Sequence, residues 1–118
     1  MFEVGTTLYR YTIKYNKFYV HEGVVNQCIN RKIVVFPDGG FKHSSVRCPR
    51  PEDIGVIRSV GLILWLTERN DDLARHIFIE HEKKQINRMC RLIDEKQKII
   101  NLLKESKCYE STRRQEVR

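Results

Sequence analysis

Glycine and proline are missing from the second half of this 118-residue chain: all six glycines and all three prolines lie before Leu62. These residues are the strongest local breakers of regular structure, so the asymmetry excludes a uniform architecture. It predicts a turn-rich β part followed by an uninterrupted helical part, with the boundary near Leu66 and Thr67. Long apolar runs are also lacking. The longest, residues 60–66, holds seven residues including Gly61, against roughly 20 for a membrane-spanning helix, so no membrane partner is expected. Cys28, Cys48, Cys90 and Cys108 form no C-x-x-C pair. That excludes the common zinc and redox-dithiol patterns and leaves free thiols, as in a reducing compartment. No basic segment followed by an apolar stretch opens the sequence, so no secretory leader is expected and the predicted location is cytoplasmic.

What is present is charge. Twenty-two Lys and Arg against 15 Asp and Glu give +7, which disfavours a mimic of DNA and favours an anionic partner. Apolar residues make up 41% and charged residues 31%, a balance that suits a folded domain carrying a long solvated helix better than a disordered chain. The length allows one domain with an appendage.

In the first half, Tyr9, Tyr11, Ile13 and Tyr15 alternate with Leu8, Arg10, Thr12 and Lys14, the period of a strand with one buried face. A second run, residues 18–29, follows across Asn16-Lys17, read as a tight turn because asparagine tolerates positive φ. Gly23 inside that run predicts a bulge or bend. Residues 32–36 form a third strand; Pro37-Asp38-Gly39-Gly40 is a turn; residues 41–46 return as the fourth. Pro49 and Pro51 make residues 48–53 a loop, because proline has no N–H to give to a ladder. A short turn or 3₁₀ segment and a last strand, residues 62–66, complete the set. Five short strands predict a small SH3-like or OB-like antiparallel β-barrel over residues 1–66. A core this thin calls for cover from the helix that follows.

Thr67 is the expected N-cap of that helix, with Glu68, Asp71 and Asp72 complementing the positive end of its dipole. Ile79, Ile86, Ile93 and Ile100 recur every seven residues, and Met89 and Leu103 fall on the matching second row, interrupted by Glu82 and Lys96. This is an imperfect coiled-coil seam. A helix over residues 67–106 would extend roughly 60 Å, far beyond a small barrel, so the seam predicts a homodimer through those six apolar residues, with a fold-back as the other solution. Residues 107–118 are expected to be a mobile tail.

Motifs for chemistry fail. His81-Glu82 lacks the second histidine of a zincin, since Gln85 stands in its place, and His76 with Glu80 misses the inverted motif by one residue. A metal-dependent hydrolase using His76, Glu80 and His81 is therefore the third reading; solvated side chains are the first. His21 and His43 sit on separate strands with no nucleophile context. Asp38-Gly39-Gly40 lacks the lysine and helix of a phosphate loop. The chain is thus read as not an enzyme, with no cofactor and no metal.

Two basic groups remain as candidate contacts for nucleic acid or another partner. Arg31, Lys32, Lys42, Arg47 and Arg50 could converge at one end of the barrel, with Tyr9, Tyr11, Tyr15, Phe18 and Tyr19 as stacking surfaces or, alternatively, as core. On the helix, Lys83, Lys84, Arg88 and Arg91 lead a stripe that could track a phosphate backbone or form the wet side of a coiled coil.

The segments VGTTLYRYTI, EGVV, IVVFPDGGF, PEDIG and ILWLTERNDDLARHI, spanning residues 4–77, resemble a loose group of small proteins carried by phages and mobile elements. In that group an SH3-like barrel is closed by an FLT strand and followed by a helix. Here Trp65 stands where phenylalanine is usual, and the PRPED loop is longer. The resemblance implies architecture and no active site. It also implies a counter-defence role of the anti-CRISPR kind: a non-enzymatic inhibitor that occupies a host nuclease or its nucleoprotein complex. A nucleic-acid-binding regulator is the alternative.

Overall fold

The computed structural model describes residues 1–37, 45–58 and 62–110. Within these limits the chain is α+β: a five-stranded antiparallel sheet followed by one C-terminal helix. The strands are β1 (Thr7–Lys14), β2 (Lys17–Cys28), β3 (Arg31–Val35), β4 (Ser45–Arg47) and β5 (Ile63–Leu66), and the helix is α1 (Asp71–Glu105). Their order across the sheet is β4-β3-β2-β1-β5. No ladder joins the edge strands β4 and β5 among the described residues. The Asp38-Gly39-Gly40 turn, the first residues of the expected fourth strand with Lys42 and His43, residues 59–61, and residues 111–118 of the expected tail lie outside the described residues. Two compact units divide the chain, Met1–Glu82 and Lys83–Arg118.

In the first unit, Lys14 pairs with Lys17. The turn residues are therefore Tyr15 and Asn16, with φ of 52° and 61°, one residue earlier than the sequence suggests. Two successive positive φ values mark the turn whose twist matches a hairpin. Tyr15 consequently leaves the strand and is 91% exposed. The next hairpin closes with Cys28 opposite Arg31 and puts Ile29 at φ 52°, an unusual conformation for a β-branched side chain.

Both faces of β1 are buried, where the alternation pointed to one. Tyr11 packs with Leu64, Leu66, Ala74 and Phe78, joined by Tyr9 and Ile13. Leu8, on the opposite face, packs with Val25, Val34 and Phe36, joined by Phe2, Val46 and Trp65. β2 serves both clusters because its first part pairs with β1 and its last part with β3, Val24 belonging to both ladders. Gly23 lies beside this changeover. The register runs through it without an inserted residue, so the expected bulge is absent and the glycine answers a need for space. A Cβ there would sit 2.3 Å from Val34 Cγ1 and 2.9 Å from Phe36 Cε1.

The loop of residues 48–53 contains a 3₁₀ turn, Pro51–Asp53. Asp53 organises it by accepting from the Arg50 N–H at 3.1 Å and from Arg58 Nε at 2.8 Å. These bonds hold the Asp53 carboxyl below its ordinary range, the Arg50 N–H contributing most.

α1 begins three residues later than the expected Thr67 cap. The Leu73 N–H donates to Asn70 Oδ1 at 3.0 Å, which makes Asn70 the N-cap. The choice follows from Tyr11. Its hydroxyl donates to Asp71 Oδ1 at 2.7 Å and accepts from the Asn70 N–H at 3.0 Å, tying the first turn to the middle of the sheet. Ala74 and Phe78, on the same side, complete that core. The Tyr11 bond, followed by the bond from Arg69, lowers the Asp71 pKa, while burial pushes the Tyr11 hydroxyl up.

Tyr11→Phe is expected to cost about 2 kcal/mol, because it removes a hydrogen bond to a charged group and takes the acceptor from the part-buried Asn70 N–H; urea unfolding measures the loss. Asp71, with its folded pKa below the unfolded value, contributes stability that is present above the ordinary carboxylate range. That contribution is lost as pH falls through the lowered folded value. The gap between Tyr11→Phe and the unsubstituted protein should therefore narrow in acid.

In the second unit α1 runs on to Glu105, where Ser106 closes it through its N–H and hydroxyl, 2.9 and 2.7 Å from the Leu102 carbonyl. Residues 107–110 have no regular structure.

Candidate partner-binding surfaces

The first basic group is divided by its local contacts. Lys32 Nζ donates to the Phe2 carbonyl at 2.7 Å, a bond that ties the N-terminal segment to β3. Arg50 pairs with Glu52 at 3.3 Å and Asp53 at 3.7 Å, within the 3₁₀ turn. Arg31 and Arg47 remain exposed. They share one face of the β3–β4 ladder, because Arg47 stands opposite Ile33, two residues along from Arg31. Lys42 is outside the described residues. Among the described residues, Arg31 and Arg47 are thus the two members of the expected group that stand exposed side by side on the sheet.

Of the candidate aromatics, Tyr11 and Tyr9 pack in the core, while Tyr15, Phe18 and Tyr19 are exposed. Tyr11 is fully buried, and Phe18 stacks on it at 5.5 Å and meets Phe78 edge-on at 5.7 Å. Arg75 lies over the Phe18 ring at 5.7 Å, within cation–π range. Tyr19 stacks on His21 at 6.1 Å.

A different basic and aromatic grouping was missed in the sequence. Arg10 lies over both Phe36 and Trp65, 5.9 and 6.0 Å from their ring centres, and those rings stack on each other at 6.2 Å. Partial burial lowers the Arg10 pKa. The available signal was its place between Leu8 and Thr12, on the strand face that builds the second cluster. An arginine amid such neighbours uses its flat guanidinium as a lid on aromatic rings. Trp65 thus acts as packing surface.

The histidine group makes no metal site: no three His, Cys, Asp or Glu residues come together in a geometry able to hold an ion, among the described residues. His76 is exposed and Glu80 and His81 half-buried, all three on the first turns of α1. No helix among the described residues is long and apolar enough to cross a membrane.

The helical surface is the larger one. Ile79 is 53% exposed in the first unit. From Lys83 onward Ile86, Met89, Leu92, Ile93, Ile99, Ile100, Leu102 and Leu103 are all exposed, so every predicted seam residue is open to solvent in the single chain. Lys83, Lys84, Arg88 and Arg91 are exposed too. At 3.6 residues per turn, the row Lys84, Arg91 and Lys98 falls on the side of α1 away from the stripe of Ile86, Met89 and Ile93. This arrangement can bury one side against an apolar partner while offering cations on the other.

No family model, curated protein or solved structure matches the chain.

Proposed function

We propose that this protein is a non-catalytic binding protein, self-associated through the apolar stripe of α1 as a coiled coil, whose basic side engages a nucleoprotein. The observation that carries this reading is the opposition on one helix of an exposed isoleucine stripe and a lysine and arginine row. The stripe needs a dry partner. Phosphates suit the row, and pairing through the other side leaves it available. The sheet module fits an SH3-like barrel, on the strength of the order β4-β3-β2-β1-β5, the long shared strand β2 and the 3₁₀ turn before β5. Together with the phage-type resemblance, these features favour a counter-defence inhibitor, and the target is then a host nuclease loaded with its guide.

The test is a titration into RNA-guided nuclease cleavage assays, with binding measured to loaded and empty complexes. Inhibition and binding to the loaded form are expected. Reversing the charges of Lys84, Arg88 and Arg91 together should weaken that binding at least about tenfold, each lost phosphate contact also reducing its salt dependence. No binding to any loaded or empty complex would remove the inhibitor reading. Salt-sensitive binding to free nucleic acid alone would instead favour a regulator of DNA or RNA.

A further inference from the structure

We infer that two copies of α1 pair antiparallel, with the two-fold axis crossing the seam at the level of residue 91. The inference rests on the self-association proposed above and names its geometry. Two seven-residue rows define the seam: Ile79, Ile86, Ile93 and Ile100 on one, and Glu82, Met89, Lys96 and Leu103 on the other. All eight lie within α1, and all are exposed in the single chain.

The two charged members decide the orientation. In a parallel, in-register pair each row meets itself. Glu82 would then face Glu82 and Lys96 would face Lys96, two layers of like charge in an otherwise apolar seam. In an antiparallel pair each row meets the other. Centred on Arg91, Ile79 faces the second copy's Leu103, Glu82 faces Ile100, Ile86 faces Lys96 and Met89 faces Ile93. Glu82 of each helix then lies one layer from Lys96 of the other, on the same flank, where opposite charges attract. Sliding by one heptad either way leaves an isoleucine at one end without a counterpart, so this register uses the seam most fully.

The residues beside the seam agree. Leu92 meets Leu92 of the second copy along one flank, whereas a parallel pair sets it against Gln97 and sets Ile99 against Lys104. Along the other flank Cys90, an exposed free thiol, meets Cys90 next to the two-fold axis. A parallel pair holds the two Cys90 thiols on opposite sides of the seam.

Sedimentation equilibrium of the unsubstituted chain, Glu82→Lys, Lys96→Glu and the double substitution tests this. The antiparallel pair predicts that each single change raises the dimer dissociation constant about tenfold, since it creates two like-charge contacts per dimer, and that the double change restores it to within about threefold. A parallel pair predicts the same constant for all four proteins, and that result would overturn the inference. Brief treatment of the unsubstituted protein with a short bismaleimide supplies a readout free of substitutions. A Cys90–Cys90 linked peptide is expected by mass spectrometry, and its absence from a dimeric sample contradicts the register. A trimer or tetramer also contradicts it. A monomer at every concentration overturns the self-association reading itself, which separates the two failures.

Discussion

Gly23→Ala is expected to destabilise the sheet unit by about 3 kcal/mol, the upper part of the range for overpacking a well-filled core. The cause is one methyl group. At 2.3 Å from Val34 Cγ1 and 2.9 Å from Phe36 Cε1, the new carbon overlaps two side chains that are themselves buried, Val34 at 0% and Phe36 at 4% exposure. Neither can swing outward. Phe36 is held against Trp65, and Val34 sits in the middle of β3 between its pairings to β2 and β4. The strand must therefore move where β2 changes partners, and both ladders are affected. Adding Val34→Ala removes the nearer obstacle, so the double variant should lose less than the sum of the two single losses. Urea unfolding of the four proteins measures this coupling; simple additivity would mean that Gly23 is needed for something other than space.

The second large effect concerns α1. Ile86→Asp combined with Ile93→Asp should raise the dimer dissociation constant more than about a hundredfold, because each copy would carry two carboxylates into an apolar seam. Helical circular dichroism should fall at the same time, since most of a helix's stability in a protein comes from packing its amphipathic face. Sheet stability should change little, because the core residues of α1 are Ala74 and Phe78. A dimer of unchanged affinity after both substitutions would place the seam elsewhere on the helix.

The period of the isoleucines and the loss of glycine and proline after Gly61 made the helix and its apolar stripe legible, since both features depend only on spacing along the chain. The expected fourth strand, residues 41–46, lies mostly outside the described residues, and the other four strands were legible to within a residue. Their turn was displaced by one residue because a two-residue hairpin turn needs two successive positive φ values, and Tyr15 gives no compositional sign of accepting one. The helix cap was displaced from Thr67 to Asn70 for a tertiary reason: the hydroxyl of Tyr11, far away in sequence, fixes Asn70 and Asp71. Gly23 was read as a bulge or bend, and the bulge is absent, because sequence shows the missing side chain and not the neighbours that require its absence. Two members of the basic group around Arg31 have partners of their own. Lys32 and Arg50 are taken by a backbone carbonyl and a local acidic pair, partners that net charge does not reveal. Arg10 was overlooked because a single cation in an alternating strand reads as solvent-facing, whereas both faces of this strand are covered.

The central claim is that the exposed isoleucine stripe takes a second copy of the same chain. Sedimentation equilibrium of the unsubstituted protein over a wide concentration range tests it most directly. A reversible species of twice the 14.1 kDa chain mass, favoured by rising concentration, is the predicted result. A single species at the chain mass throughout would contradict the account.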